Sequence, residues 1–306
     1  MPERVFPGTA AAARRHTRLG LLLVMALAAG CGDLNSFRFV HKNRGAPATW
    51  HAEPASVRLE PDTGHGLVLP VTVNGETDFR FRLDNLAPVI VMSKDAERPL
   101  VGARPAGRVR LASNTGPDWT GRAAENIELT LGDLVLSEHA VLLADQSLDG
   151  VDGLLGHDLL RRAVIEVDAP REILRLHRPR SYRPPRNAAA VPMVIADRLM
   201  YVDLSVESAQ GQRAYLRLEL ALGETGGLIL APGVLRALGG SSGSMVMNLG
   251  GLRIDGLEAE SEGRSGSLAD GRLGLGALEG RKFAVDVPGA FLWIYAPDRP
   301  ATTPVE

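Results

Sequence analysis

From Val57 onward the chain sets short apolar stretches between turns of glycine, asparagine and proline. That pattern predicts strands rather than helices. Leu67–Val73 is apolar and closes on Asn74-Gly75, a strong hairpin signal. Phe79-Arg80-Phe81-Arg82-Leu83 alternates as the return strand, with Phe79, Phe81 and Leu83 on one face. Asp84 to Pro88 reads as a loop and Val89 to Met92 as a short buried strand. Residues 103–126 read as looser, rich in Gly, Asn, Pro and Thr, with Trp119 inside. Ile127–Leu131 and Val135–Leu143 are predicted strands around a Gly132-Asp133 turn. Asp158 to Ala163 is one or two helical turns, with Asp158 as its cap. Val164–Val167 and Ile173–Leu176 form a closing hairpin.

A second copy of the pattern starts near Val191. Tyr201–Val206 and Tyr215–Leu220 read as strands, Ala221 to Thr225 as a loop, Leu228–Leu230 as a short strand and Val234–Leu238 as a helical turn. One constant shift of 118 residues places Leu131-Gly132-Asp133-Leu134 on Leu249-Gly250-Gly251-Leu252, and Asp152-Gly153-Leu154-Leu155-Gly156 on Asp270-Gly271-Arg272-Leu273-Gly274. It also places Val167-Asp168-Ala169-Pro170 on Val285-Asp286-Val287-Pro288. A fixed offset through turns and strands identifies two copies of one unit. A site on their common axis should then take one residue from each copy.

Composition narrows the class. Glycine and proline are plentiful and aromatics few, which suits short strands and tight turns. The formal net charge of -2, with no basic stripe, gives no reason to expect a nucleic-acid partner. At the N-terminus Arg14, Arg15 and Arg18 precede an apolar run, Leu19 to Gly30, too short to span a bilayer comfortably. The run ends in small residues before Cys31, the chain's single cysteine. This resembles the bacterial lipobox, in which the cysteine is lipidated and becomes the new N-terminus. The alternative is an ordinary cleaved signal peptide with an incidental cysteine. The expected organisation is a signal peptide over 1–30, a tether over 31–56, one lobe over 57–177, a proline- and arginine-rich linker over 178–190, a second lobe over 191–297 and a tail over 298–306. The expected location is the cell envelope outside the cytoplasm, on a lipid anchor.

Phe81-Arg82-Leu83-Asp84, Asp152-Gly153-Leu154-Leu155-Gly156 with its short helix, and the hairpin Val164–Leu176 resemble the pepsin/retropepsin-like aspartic proteases, in their two-lobed single-chain form. The resemblance covers residues 57–297 and implies an all-β fold of two lobes related by a pseudo-twofold axis, with a cleft between them. The family's signature is Asp-Thr/Ser-Gly once per lobe. Two close carboxylates share a proton, one activating water and the other polarising the scissile carbonyl. The hydroxyl ties the two loops together, and the glycine lets backbone approach closely. This chain departs from that signature in both lobes. Asp84-Asn85-Leu86 replaces it in the first, where Asn85 can take over the hydroxyl's hydrogen bond and Leu86 adds bulk. In the second, the best match is Leu220-Ala221-Leu222-Gly223, which keeps the glycine and lacks the acid. Glu219 should point away from the Leu218/Leu220 face, and Glu224 lies beyond the glycine.

The remaining candidates are Trp119, which falls where the family carries a flap over its cleft and otherwise covers a barrel end, and the group His139, His157 and Asp158, whose spacing fits no metal-ligand pattern. Asp152 and Asp270 read as acids that fix loops, and Asp168 and Asp286 as turn residues. No Gly-x-Ser-x-Gly elbow supports serine hydrolysis. No metal or cofactor is expected. The resemblance thus implies an exported protein built like an aspartic protease but lacking its dyad, with a cleft over Asn85, Leu86, Trp119, Leu222 and Gly223 that binds extended peptide or an envelope protein. Two alternatives stand beside it: an aspartic endopeptidase using Asp84 with a non-standard second acid, and a purely structural envelope lipoprotein.

Overall fold

The computed structural model describes residues 36–296 except 61–63, 65, 97–99, 101, 114–117, 241–243 and 262–268. The expected signal peptide, Cys31 and the tail over 298–306 lie outside the described residues.

The hydrophobic faces predicted from the sequence close into two six-stranded barrels. In the first, the order is Leu134–Ala144, Val91–Met92, Gly153–Leu155, Glu76–Leu83, Val68–Val73 and Trp119–Leu131, and this last strand pairs back onto Leu134–Ala144. In the second, the order is Leu252–Ser261, Leu228–Leu230, Gly271–Gly274, Arg213–Ala221, Leu199–Ser208 and Ser244–Leu249, which again closes on its start. The two orders correspond strand for strand, as the internal repeat requires. Alternation does the work locally: Phe79, Phe81 and Leu83 are buried in one barrel, and Leu216, Leu218 and Leu220 in the other. Asn74 and Gly75 both take positive φ, 49° and 82°, in the tight turn read from Asn-Gly.

A third sheet joins the lobes. Its six strands run Ala189–Ala196, Phe291–Ile294, Lys282–Asp286, Val164–Asp168, Ile173–His177 and Ala55–Arg58. At its centre Ile165 faces Val285, Glu166 faces Ala284 and Val167 faces Phe283. The pairing is symmetric about Glu166 and Ala284, which places the pseudo-twofold axis between them. Glu166 is buried there, but well partnered: Arg175 Nη1 at 2.9 Å, Lys282 Nζ at 2.9 Å, His177 Nε2 at 3.0 Å and the Tyr295 hydroxyl at 3.2 Å.

Two expectations need correction. Residues 36–56 are not a free tether: 36–42 is helical, Ala48–Trp50 pairs with Leu134–Leu136, and Ala55–Arg58 is the edge of the joining sheet. Phe39 is buried on the first lobe, and Asn43 is clamped to the backbone of Ala140 through both ends of its amide at 2.8 Å. The polar composition hid this, because few side chains do the anchoring. Residues 103–126 are likewise not loose. They form the strand Arg104–Leu111 and the start of Trp119–Leu131. Gly121 is there for close packing, since a β-carbon would lie 2.1 Å from the Leu143 carbonyl oxygen.

Candidate functional site

Each lobe presents one loop to the axis, and each loop is set by the strand before it. The first follows Glu76–Leu83, which runs parallel to Gly153–Leu155, and the Asp84 N–H donates to the Leu155 carbonyl at 3.1 Å. The second follows Arg213–Ala221, parallel to Gly271–Gly274, with Ala221 opposite Gly274. The same acid secures each strand: Asp152 accepts the Arg80 N–H at 2.8 Å and Asp270 accepts the Arg217 N–H at 2.9 Å. These are the loop-fixing roles read from the duplicated Asp-Gly. In this register Ala221 stands where Asp84 stands. The offset at the loops is 137 residues rather than 118, because the first lobe has nineteen more residues between its loop and its Asp-Gly. The hairpin Arg104–Leu111 with Trp119–Leu131 takes up this extra length.

One side chain bridges the two loops. Asn85 donates from Nδ2 to the Leu220 carbonyl at 2.6 Å and accepts at Oδ1 from the Leu222 N–H at 2.6 Å, gripping the backbone on both sides of Ala221. The bridge is buried, with Asn85 1% exposed. The amide thus takes over the hydroxyl's role that the resemblance assigned to this position, with a donor and an acceptor on one group. Gly223 packs from the other lobe against Asp84: a β-carbon there would lie 2.6 Å from the carboxylate carbon. Leu222 is fully buried in the core, and Leu86 is half-buried at the loop's surface.

The electrostatics of Asp84 are those of a single acid. Its carboxylate accepts the Leu86 N–H at 3.0 Å and lies 3.5 Å from Arg82 Nη2. Among the described residues no second carboxylate hydrogen-bonds it. Burial raises its pKa above the usual aspartate value; Arg82 and the Leu86 N–H pull it down, and the charge of Glu224 adds to the rise. Glu224 itself is ion-paired to Arg272 at 2.7 Å. Glu219 is fully buried, between Tyr201 and Arg272 in the strand register, and its charge helps raise the Tyr201 hydroxyl's pKa after burial. Arg82 went unnoticed in the sequence. Alternation already placed it on the same side as Asp84, two residues on, so the signal was available. A carboxyl beside a guanidinium can hold or release one proton. Among the described residues no carboxyl hydrogen-bonds it to divide the roles of acid and base.

Two interlobe cavities flank the bridge. One, of about 160 Å³, is lined by Asn85, Leu86, Pro88, Ala112 and Ser113 from the first lobe and by Asp197, Arg198 and Leu199 from the second. The other, of about 260 Å³, has an apolar floor that includes Leu59, Leu67, Leu275 and Phe283, reaches Thr225, and carries Glu60, Glu172 and Glu279 in its wall. Thr225 and Pro88 are equivalent under the 137-residue shift, and the walls differ in charge: three glutamates in the larger cavity, Asp197 and Arg198 in the smaller. Trp119 lines neither. It pairs with Leu111 at the start of its strand and packs on the cluster of Phe39, Val109 and Leu111.

The His139, His157 and Asp158 group is divided by its hydrogen bonds. Asp158 Oδ2 receives Asn43 Nδ2 at 2.8 Å and lies 3.3 Å from His139 Nε2. Asp158 does not cap the helix His157–Leu160, whose N-cap is Gly156 with no side-chain bond. Burial, then Arg161 and Arg198, push the His157 pKa down to about 4, which keeps it neutral. Among the described residues no group of three or more His, Cys, Asp or Glu side chains could hold a metal ion.

Two closed barrels on a shared sheet, with paired loops at the axis, define the fold of the pepsin-like aspartic proteinases. Solved structures agree: an aspartic proteinase from Irpex lacteus is similar with a TM-score of 0.57 at 14% identity, over 82% of this chain and 97% of that one. Basic 7S globulin from soybean is similar with a TM-score of 0.57 at 10% identity, over 81% and 95%. No family model and no curated protein matches the chain.

Proposed function

We propose that this is an exported, lipid-anchored protein that uses an aspartic-proteinase fold to bind extended peptide without cutting it. The observation that carries the reading is the pair of loop positions at the axis: Asp84 in one lobe, Ala221 in the other, with Asn85 holding them in register. Peptide-bond hydrolysis by this fold needs an acid and a base on opposite sides of one water, and here one side is a methyl group. The seam between the lobes keeps two cavities, one with three glutamates in its wall and one with Asp197 and Arg198. An extended segment lying along the seam would meet three glutamates at one end and the mixed pair Asp197 and Arg198 at the other, which gives direction to binding. Cys31 fits the same reading as the lipid attachment point, and a peptide or envelope protein outside the cytoplasm as the partner.

The test uses the purified mature chain and a library of unstructured peptides, scored for binding and for cleavage between pH 3 and 7. Saturable binding without cleavage, unchanged in Asp84→Ala, is the expected result. Cleavage at acidic pH that disappears in Asp84→Ala would refute it. Absence of both would leave only a packing role for the fold.

One observation favours a second reading, a working endopeptidase with an unusual second acid. The charge of Glu224 acts on Asp84 from the opposite loop. In that case Glu224→Gln would abolish cleavage as completely as Asp84→Ala.

A further inference from the structure

The outer wall of the second barrel carries a bare aromatic ring in a polar setting. Tyr215 is 91% exposed, the most exposed large hydrophobic side chain among the described residues. It lies on Arg213–Ala221, and the strand register puts it in a row with Ser205, Asn248 and Arg253 on three successive neighbours. Asp203, Ser205, Tyr215, Arg217, Asn248 and Asp270 line a shallow open groove of about 640 Å³ around it.

The charges on this wall are matched. Arg217 makes a two-pronged pair with Asp203 at 2.7 and 2.9 Å, Arg213 pairs with Glu207 at 2.7 Å, and Arg253 pairs with Asp255 at 2.8 Å. Arg217 is held further by its own N–H on Asp270. Each cation therefore already has its anion, which argues against a phosphate or nucleic-acid ligand, since those need free cations. A protein partner driven by apolar burial would need more than one ring. What the wall offers is a flat, weakly polar ring flanked by a hydroxyl, an amide and fixed planar charged groups. Such a set suits a ligand that has an apolar face of C–H groups and an edge of hydroxyls.

We propose that this wall is a binding site for an uncharged oligosaccharide. One sugar ring stacks on Tyr215, and its hydroxyls hydrogen-bond Ser205, Asn248 and the Asp203–Arg217 pair. The site is separate from the loops at Asp84 and does not depend on any peptide binding there.

The test is calorimetric or fluorescence titration of the whole mature chain with chitotetraose and with maltotetraose, at low and high salt. Tyr215→Ala, Tyr215→Trp and Asn248→Ala are compared with the unaltered protein. The expected result is saturable binding of at least one sugar, little changed by salt, weakened about tenfold or more in Tyr215→Ala and in lesser degree in Asn248→Ala, and kept in Tyr215→Trp. Tyr215 is solvent-exposed, so its replacement should leave the fold intact. No saturable binding at millimolar sugar would overturn the proposal. So would binding that Tyr215→Ala leaves unchanged, or self-association of the chain through this wall that Tyr215→Ala abolishes and sugar does not compete.

Discussion

Asp84 and Gly223 come from different lobes and fit together so closely that a β-carbon at 223 would lie 2.6 Å from the carboxylate carbon and force it to shift. The pseudo-twofold relates this pair to Ala221 and Leu86. Glycine stands where the opposite lobe presents an acid, and leucine where the opposite lobe presents only a methyl group. The two departures from the Asp-Thr/Ser-Gly pattern in the separate lobes thus meet each other across the axis.

The close fit makes a stability prediction. Gly223→Ala should destabilise the protein by about 1–3 kcal/mol through overpacking. In an Asp84→Ala background the same substitution should cost much less. Chemical denaturation of the four proteins of this cycle measures the coupling.

The mirror pair predicts the reverse. Ala221→Asp alone should destabilise the protein, because it places a buried carboxylate against Leu86 and near Asp84. Adding Leu86→Gly should recover part of that loss, and more at pH 4 than at pH 7, since two facing carboxyls are stable together only when they share a proton. Thermal melts at the two pH values decide it.

Asn85 should matter to the joint between the lobes. Asn85→Ala removes two buried hydrogen bonds and strands the Leu220 carbonyl and the Leu222 N–H, at a cost of about 2–4 kcal/mol. Asn85→Thr, which keeps a donor and an acceptor on one shorter group, should lose less. Urea unfolding of both variants gives the comparison.

The pH dependence of stability should carry opposite marks from two acids. Glu166 is pushed up by burial but held down by the hydrogen bonds of His177 and Lys282, to about 2. Its stabilisation is in place above the ordinary glutamate value and is lost as pH falls toward 2. Glu166→Gln should therefore lower stability at pH 7 by about 3–5 kcal/mol, with the gap to the unaltered protein narrowing in acid. Asp84 has a raised pKa, so its neutral form favours folding and that advantage fades as pH rises through the folded value. Asp84→Asn should thus be more stable than the parent at pH 7 and comparable near pH 3.

The sequence disclosed the repeat and the hairpins because each rests on local rules: alternation, Asn-Gly turns and a fixed offset. It hid the helix over 36–42 because that segment is held by scattered contacts, Phe39 and Val40 against the core and Ser36, Lys42 and Asn43 through polar bonds, and these make no period. Asp158 resembled a cap because it opens a helix, but a buried histidine and Asn43 from 115 residues away claimed it first. Trp119 has two readings from the sequence, a flap over the cleft and a cover for a barrel end. It packs on Phe39, Val109 and Leu111, apolar neighbours that only the folded hairpin brings together.

The central strand pair of the joining sheet sets a limit on how the halves can combine. Two copies of the first half would bring Glu166 face to face with itself across the axis, while two copies of the second would put alanine against alanine and leave Lys282 without the Glu166 carboxylate it now bonds at 2.9 Å. Each half has thus become committed to an unlike mate. A chain severed in the connector over 178–190 should reassemble as a one-to-one heterodimer, with neither fragment able to replace the other.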